Sequence, residues 1–311
     1  MTTVEETISV SLQKRIRQVE QQIGNTPMLE VTKLYAKSGV KIYAKAEWKQ
    51  LSGSVKARAA FNIFKHALLN GLLTDRKSLL DATSGNTGIA YAAIGKELGI
   101  PVTLCLPENA SRERKEILQS LGATIIFTSK FGGTDEAQQV AAELYEQYPE
   151  KYYYANQYTN PQNWKAHYYG TAVEIIEQVP NVTHFVAGLG TTGTFTGTGR
   201  RLFEYNEDIE FIALQPDFAL HGLEGWKHLE TAIVPEIYDD TIANKIIEVD
   251  TQTAYDYIVK TAKTEGWLIS PSSAANLAGA IAVAETITHG NIVTVLPDNS
   301  LKYSEIINKL F

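Results

Sequence analysis

Strand-like and helix-like segments alternate with short connections through most of this sequence. That alternation predicts an α/β protein built on mainly parallel, twisted sheets flanked by helices. Two further observations agree. Turns rich in glycine and hydroxyl residues stand directly between an apolar strand and a helix at 83–88 and again at 188–194, the position of the loops in βα units. The 311 residues also give room for two units of ordinary domain size.

In chain order, residues 11–22 read as a charged helix before the first core segment. Residues 42–46 alternate like a strand, and 54–69 carry Val55, Ala59, Ile63 and Ala67 at helical spacing. A first series follows: strand 79–82, helix 88–98, strand 101–106, helix 112–121, strand 124–128 and helix 134–148. The second series has strand 152–155, a helix near 164–178, strand 184–187, helix 194–205 and strand 210–214. Residues 217–238 read as irregular. Helices 251–265 and 273–286 and strand 291–296 close the pattern. No fixed-period repeat or low-complexity run occurs.

Composition narrows the function. The net charge is −7 with no basic cluster, so the electrostatic footprint of a nucleic-acid binder is missing and small molecules are the expected partners. Cys105 is the single cysteine; it lies in an apolar run and is expected to be a buried structural thiol in a reducing cytoplasm. The N-terminus is acidic where a signal peptide is basic, and no apolar run approaches membrane-spanning length. The six histidines show no metal-ligand spacing, so no metal is expected, and His167 and His221 receive no role.

Five short stretches carry the chemistry. Lys56 follows the turn Ser52, Gly53, Ser54 between segments that read as buried. It is either a surface lysine of a helix or an ammonium desolvated enough to act as a neutral nucleophile. The turn Thr83, Ser84, Gly85, Asn86, Thr87, Gly88 suits a capped helix start and a carboxylate or phosphate receptor equally. The turn Gly188, Leu189, Gly190, Thr191, Thr192, Gly193, Thr194 has no lysine, so it is no Walker A loop. It reads as a phosphate cup rather than a dinucleotide site. Ser272, at the entry to a late helix, is either part of a plain cap or a hydroxyl donor to a ring nitrogen. Gln157, in a polar loop after a strand, is a turn residue or a donor to a carboxylate.

Taken together and in this order, the stretches resemble the cysteine synthase family, the pyridoxal phosphate (PLP)-dependent O-acetylserine sulfhydrylases of fold type II. Residues 23–29 look like its opening segment and 53–56 like its lysine motif. Residues 83–88 look like its substrate loop and 190–194 like its phosphate loop. Residues 183–190, 197–200 and 234–239 resemble the cysteine synthase B branch. The likeness runs from about residue 23 to 299.

It implies that Lys56 holds PLP as a Schiff base and acts as catalytic base. Asn86 would bond the cofactor's 3′ oxygen, Gly190, Thr191, Thr192, Gly193 and Thr194 would hold its phosphate, and Ser272 would face its pyridine nitrogen. Thr83, Ser84, Asn86, Thr87 and Gln157 would bind the substrate carboxylate. A larger lobe of 1–50 and 160–311, a smaller mobile lobe of 51–159 and a homodimer are implied as well. The implied reaction is β-replacement, O-acetylserine plus sulfide giving cysteine and acetate. The alternatives are another β-replacement or elimination on a serine or cysteine derivative, such as O-phosphoserine sulfhydrylase or cystathionine β-synthase chemistry, and a non-catalytic PLP-binding homologue.

The sequence departs from the family pattern at Gln50 and Leu51, Ala57, Ser273 and Ala274, and Asn299 and Ser300. These surround the pocket and bear on which amino acid is used. Asp217 stands where phosphoserine-using relatives carry arginine, and it would repel a phosphate.

Overall fold

The computed structural model describes residues 9–83 and 85–311. Ser84 therefore lies outside the described residues.

The chain begins with α1 (Val10–Glu20), capped by Ser9, whose hydroxyl accepts from the Leu12 N–H. Next come β1 (Met28–Val31), β2 (Val40–Ala46) and α2 (Lys56–Leu69). A compact series follows: β3 (Ser78–Ala82), α3 (Asn86–Leu98), β4 (Val102–Pro107), α4 (Arg112–Ser120), β5 (Thr124–Thr128), α5 (Gly133–Gln147) and β6 (Tyr152–Tyr154). The helix expected near 164–178 starts earlier, because Asn160 caps Pro161 at the first helical position. It is divided into α6 (Pro161–Ala166) and α7 (Ala172–Gln178) by a π-helical turn, His167–Thr171. The remainder is β7 (His184–Gly188), α8 (Gly193–Tyr205), β8 (Glu210–Pro216), β9 (Lys245–Val249), α9 (Thr251–Thr264), α10 (Pro271–Thr286), β10 (Gly290–Leu296) and α11 (Ser304–Leu310).

Two sheets result. One has the order β1-β2-β10-β7-β8-β9 and the other β5-β4-β3-β6. Every pairing is parallel except that of β1 with β2. β4 is buried along its whole length, as a parallel strand covered on both faces must be. Cys105 lies within it, and burial together with the nearby Asp81 pushes its thiol up to about 12. In the larger sheet α10 is buried through most of its length. Its alanines Ala274, Ala275, Ala278 and Ala280 pack into the core beside Ile292 and Leu296 of β10.

Register places the site. β10 runs parallel to β2 from Gly290 opposite Val40 to Leu296 opposite Ala46, so both strands deliver their following loops to one place. There the Val55 N–H donates to the Pro297 carbonyl at 2.8 Å, and Ser54 bridges to Asp298. Ligands of open parallel sheets bind at such carboxyl ends.

Three elements were not anticipated from sequence: β1, β9 and α11. β9 is a five-residue edge strand in which only Val249 is buried, too short for its apolar residues to establish a period. Among the described residues no helix is long and apolar enough to cross a membrane, and no cluster of His, Cys, Asp or Glu could hold a metal ion.

Candidate active site

Lys56 opens α2 immediately after a tight turn at Leu51–Gly53, in which Ser52 takes a left-handed backbone (φ 68°). The lysine is partly buried in the cleft wall. Desolvation lowers its pKa to about 8, against the opposing pull of the Asp298 carboxylate. Beneath it lies a charged network. Arg58 pairs with Glu47 and Glu174, both at 2.7 Å, and Lys45 pairs with Glu174 at 2.7 Å. Two departures from the family pattern belong to this foundation. Gln50 accepts from the Gly24 N–H at 3.0 Å and donates to Glu47 at 2.6 Å, while Ala57 is fully buried.

The Gly190 to Thr194 turn leads into α8, whose first N–H groups have no intrahelical partner. A Cβ on Gly190 would stand 2.0 Å from the Gly225 carbonyl oxygen, and one on Gly193 would stand 2.1 Å from Asn163 Oδ1. Packing therefore demands glycine at both positions. Thr192, a β-branched residue, is held at φ 67°, and its buried hydroxyl has no hydrogen-bond partner. Asn163 Nδ2 donates to Thr191 Oγ1 at 3.1 Å and to the Gln157 carbonyl at 2.7 Å. His167, passed over in the sequence, stands with Nε2 3.3 Å from Thr194 Oγ1 and Nδ1 2.9 Å from Thr171 Oγ1. Burial holds its pKa well below 6.5, so the ring is neutral.

Across the cleft, Thr83 Oγ1 accepts from the N–H groups of Gly85 and Gly88, both at 3.1 Å. Thr87 donates to Gln157 Oε1 at 2.8 Å, and Gln157 Nε2 donates to the Ala82 carbonyl at 2.9 Å. The Gln157 amide thus braces the loop at both ends. Asn86 Nδ2 donates to Asp298 Oδ2 at 2.8 Å and its Oδ1 accepts from Lys302 at 2.7 Å, while the Tyr303 hydroxyl donates to the same Asp298 oxygen at 2.9 Å. Two other departures are structural: Ser273 Oγ donates to the Asp298 carbonyl at 2.6 Å, and Asn299 caps the turn at Ser300. Ser272 Oγ lies 3.1 Å from Ser270 Oγ, and Asn276 Oδ1 of the same helix accepts from the Gly188 N–H at 2.8 Å.

The space of the cleft, counted out through its open mouth, is about 1010 Å³. Its wall brings together Lys56, Thr83, Asn86, Thr87 and Gln157 on one side with Gly190, Thr191, Thr194 and Ser272 on the other. Thr192 and Gly193 stand behind this wall, and Asp217 does not line it. Sequence reasoning missed Arg114, Glu224, Lys227 and Tyr303, which line it as well. Their only signal was membership in segments flanking the motifs.

PLP fits the groups present. The turn at 190–194 offers the Thr191 and Thr194 side chains and a helix start to a phosphate. Ser272 presents a neutral hydroxyl, and Lys56 a desolvated amine.

Comparison with known proteins agrees. The family described as "Pyridoxal-phosphate dependent enzyme" matches residues 19–298. The chain is 46% identical to a cysteine synthase of Aquifex aeolicus, covering 90% of this chain and 88% of that one. It is 35% identical to an O-acetylserine dependent cystathionine beta-synthase of Bacillus subtilis, covering 93% and 96%. The solved cysteine synthase of Entamoeba histolytica superimposes with a TM-score of 0.87 at 28% identity, covering 100% and 97%. This chain belongs to the pyridoxal-phosphate dependent enzymes, in the cysteine synthase family of fold type II.

Proposed function

We propose that the protein converts O-acetyl-L-serine and sulfide to L-cysteine and acetate by β-replacement. The observation that carries this reading is the convergence of Lys56, the Thr83 loop, the Gly190 turn and Ser272 on one cleft.

When bound, PLP supplies the electron sink that lets an amino acid lose its α-proton and a β-leaving group. Lys56 attaches the cofactor and takes the α-proton, and its lowered pKa keeps a useful fraction of the amine neutral near physiological pH. Gly190, Thr191, Thr192, Gly193 and Thr194 hold the phosphate, with neutral His167 bracing Thr194 without adding charge. Ser272 donates to the pyridine nitrogen without protonating it, which favours β-elimination and replacement over transamination. Thr83, Ser84, Asn86, Thr87 and Gln157 hold the substrate carboxylate. Residues 51–159 form the lobe that closes over the substrate and excludes water.

Charge at the cleft mouth favours the acetyl over the phosphoryl donor. Arg114 is paired with Glu224, and Lys227 with Asp135 at 3.3 Å. Neither cation is in surplus for a dianion. A homodimer in the cytoplasm, as the resemblance to the cysteine synthase family implies, completes the proposal.

The test is purified, PLP-loaded protein given O-acetylserine and then sulfide. The expected result is a change in cofactor absorption on the first addition and cysteine release on the second. No change with O-acetylserine would overturn the donor assignment, and undiminished turnover by Lys56→Ala would overturn the catalytic one. A monomer in sedimentation would remove the dimer.

A further inference from the structure

Asp81 is the last residue but one of β3 and is fully buried. Among the described residues no cation pairs with it. Both of its oxygens are spent on backbone donors: Oδ1 accepts from the Ala82 N–H at 2.8 Å and Oδ2 from the Gln157 N–H at 3.3 Å. Ala82 leads directly into the Thr83 turn, and Gln157 carries the amide that braces that turn. A buried carboxyl without a counter-charge is costly. The packing of the strand is served by its other members, Leu79, Leu80 and Ala82, which are apolar and equally buried.

Gln157 is the residue that gains from that cost. Asn156, just before it, takes a left-handed backbone (φ 40°), and the Asn156 carbonyl accepts from the N–H groups of Thr159 and Asn160 at 3.0 and 2.9 Å. The chain turns there at the end of β6, and Asp81 is the acceptor that fixes the Gln157 N–H within the turn. From this fixed backbone the Gln157 amide meets Thr87 at 2.8 Å and the Ala82 carbonyl at 2.9 Å. Asp81 and the Gln157 amide thus tie the same two segments together on either side of Ala82, one through its N–H and the other through its carbonyl.

We propose that Asp81 is a positioning residue for the substrate carboxylate, and that its charge governs how firmly the Thr83 loop grips that group. This rests on the reading above in which the Thr83 loop and Gln157 hold the carboxylate. As a carboxylate, Asp81 accepts from both N–H groups. As a neutral acid it has an O–H in place of one acceptor, so one of the two donors loses its partner. The Gln157 bond, the longer of the two, is the one released. Burial, against the pull of the Ala82 and Gln157 N–H groups, lifts the carboxyl from 3.8 to about 7, which puts the change near neutrality. The titratable groups facing Asp81 do not share it. They are Tyr91 of α3, Cys105 of β4, Tyr153 and Tyr154 of β6, and Tyr158 in the turn beyond. Burial raises each of them above its ordinary value, so all are neutral where Asp81 titrates.

The experiment titrates PLP-loaded protein with L-alanine, which has no β-leaving group, and with L-alaninamide, which lacks the carboxylate, reading each dissociation constant from the shift in cofactor absorption. Asp81→Asn keeps the shape of the side chain and fixes it in a neutral form. Comparing parent and variant at each pH cancels the titration of the ligand amine and of Lys56, which both proteins share. The parent is expected to bind alanine about twofold better than the variant at about pH 6 and about tenfold better at about pH 8, the worth of one charge-assisted hydrogen bond. Alaninamide shows no such difference.

A parent-to-variant ratio that stays constant with pH, or a loss shared equally by alaninamide, overturns the proposal and leaves Asp81 a residue of the fold only. The parent by itself gives a second measure if Asp81→Asn does not fold. Its preference for alanine over alaninamide, with each amine's own titration divided out, rises about fivefold over the same pH range, and a flat preference overturns the proposal equally. Gln157→Ala distinguishes this from the reading beneath it. Unchanged alanine affinity in Gln157→Ala overturns that reading and the proposal with it. Weakened affinity there, beside an Asp81→Asn protein that matches the parent at every pH, removes the role of Asp81 alone.

Discussion

The ammonium of Lys302 lies 2.7 Å from Oδ1 of Asn86, joining the C-terminal turn to the first turn of α3. Asn86 then has its Nδ2 on Asp298 at 2.8 Å. Lys302 also donates to the carbonyls of Ser52 and Gly53 at 3.2 and 3.3 Å, so one buried cation spans the turn before Lys56 and the loop across the cleft. It thereby holds the Asn86 amide in a single orientation, with Oδ1 on Lys302 and Nδ2 on Asp298.

Replacing Lys302 by Met removes three acceptor contacts and frees that amide. The expected outcome is about tenfold weaker PLP binding, corresponding to about 1.4 kcal/mol, measured by fluorescence titration of the apo protein. An unchanged dissociation constant would show that Asn86 is held without Lys302.

The lowered pKa of Lys56 sets a pH dependence. Burial disfavours the ammonium, so the amine is half neutral at about pH 8. Covalent uptake of PLP by apo protein, followed by stopped-flow absorbance, rises about tenfold per pH unit below that value and then levels. A rise that continues toward the ordinary lysine value of 10.5 contradicts this. The linkage has a matching sign. The penalty for a buried ammonium is present in full below pH 8 and is relieved as pH climbs from 8 to 10.5, so this group makes the apo protein more stable over that window.

Thr192 carries strain that packing alone does not require. A left-handed β-branched residue costs about 1–2 kcal/mol, and glycine there would lose about 0.5–1 kcal/mol to backbone entropy. Thr192→Gly is therefore expected to leave apo stability within about 1 kcal/mol of the parent in urea titration. PLP affinity falls nonetheless, because glycine frees the backbone of the turn whose N–H groups are proposed to receive the phosphate. Loss of stability with unchanged affinity is the opposite outcome, and it would make Thr192 a structural residue only.

Glu174 ties the foundation under Lys56 together. Burial works against its ionisation, but hydrogen bonds and charge from Arg58, with Lys45 beyond, carry its carboxyl down to about 2. Its contribution is present above the unfolded value near 4.5 and is lost as pH falls from there toward 2. Glu174→Gln leaves Arg58 and Lys45 less compensated and is expected to cost about 3–5 kcal/mol at pH 7. The gap to the parent narrows at pH 3, as denaturant midpoints at the two pH values check. A gap constant with pH would mean the carboxylate charge is not what matters.

Much of this protein was legible in its sequence, for local reasons. Alternating strand and helix periods gave the α/β class, because a backbone's hydrogen-bonding choice is made within a few residues. Thr83, Gly88, Gly190 and Gly193 were visible because turns that expose N–H groups select small and hydroxyl-bearing residues wherever they occur, and Lys56 was visible from the turn before it. β9 was not legible, since a five-residue edge strand is too short to establish a period, nor was the π-helical turn that splits α6 from α7. The sequence also could not say why Gly190 is glycine, because the obstructing carbonyl belongs to Gly225. It could not disclose that His167 is neutral, that Gln157 is held at both ends, or that Arg114 keeps a buried donor unused. Those properties depend on which distant groups exclude water from a side chain and which supply it a partner. Short-range pattern determined the elements and the turns; the packing of the two sheets decided charge state, orientation and what the cleft can recognise.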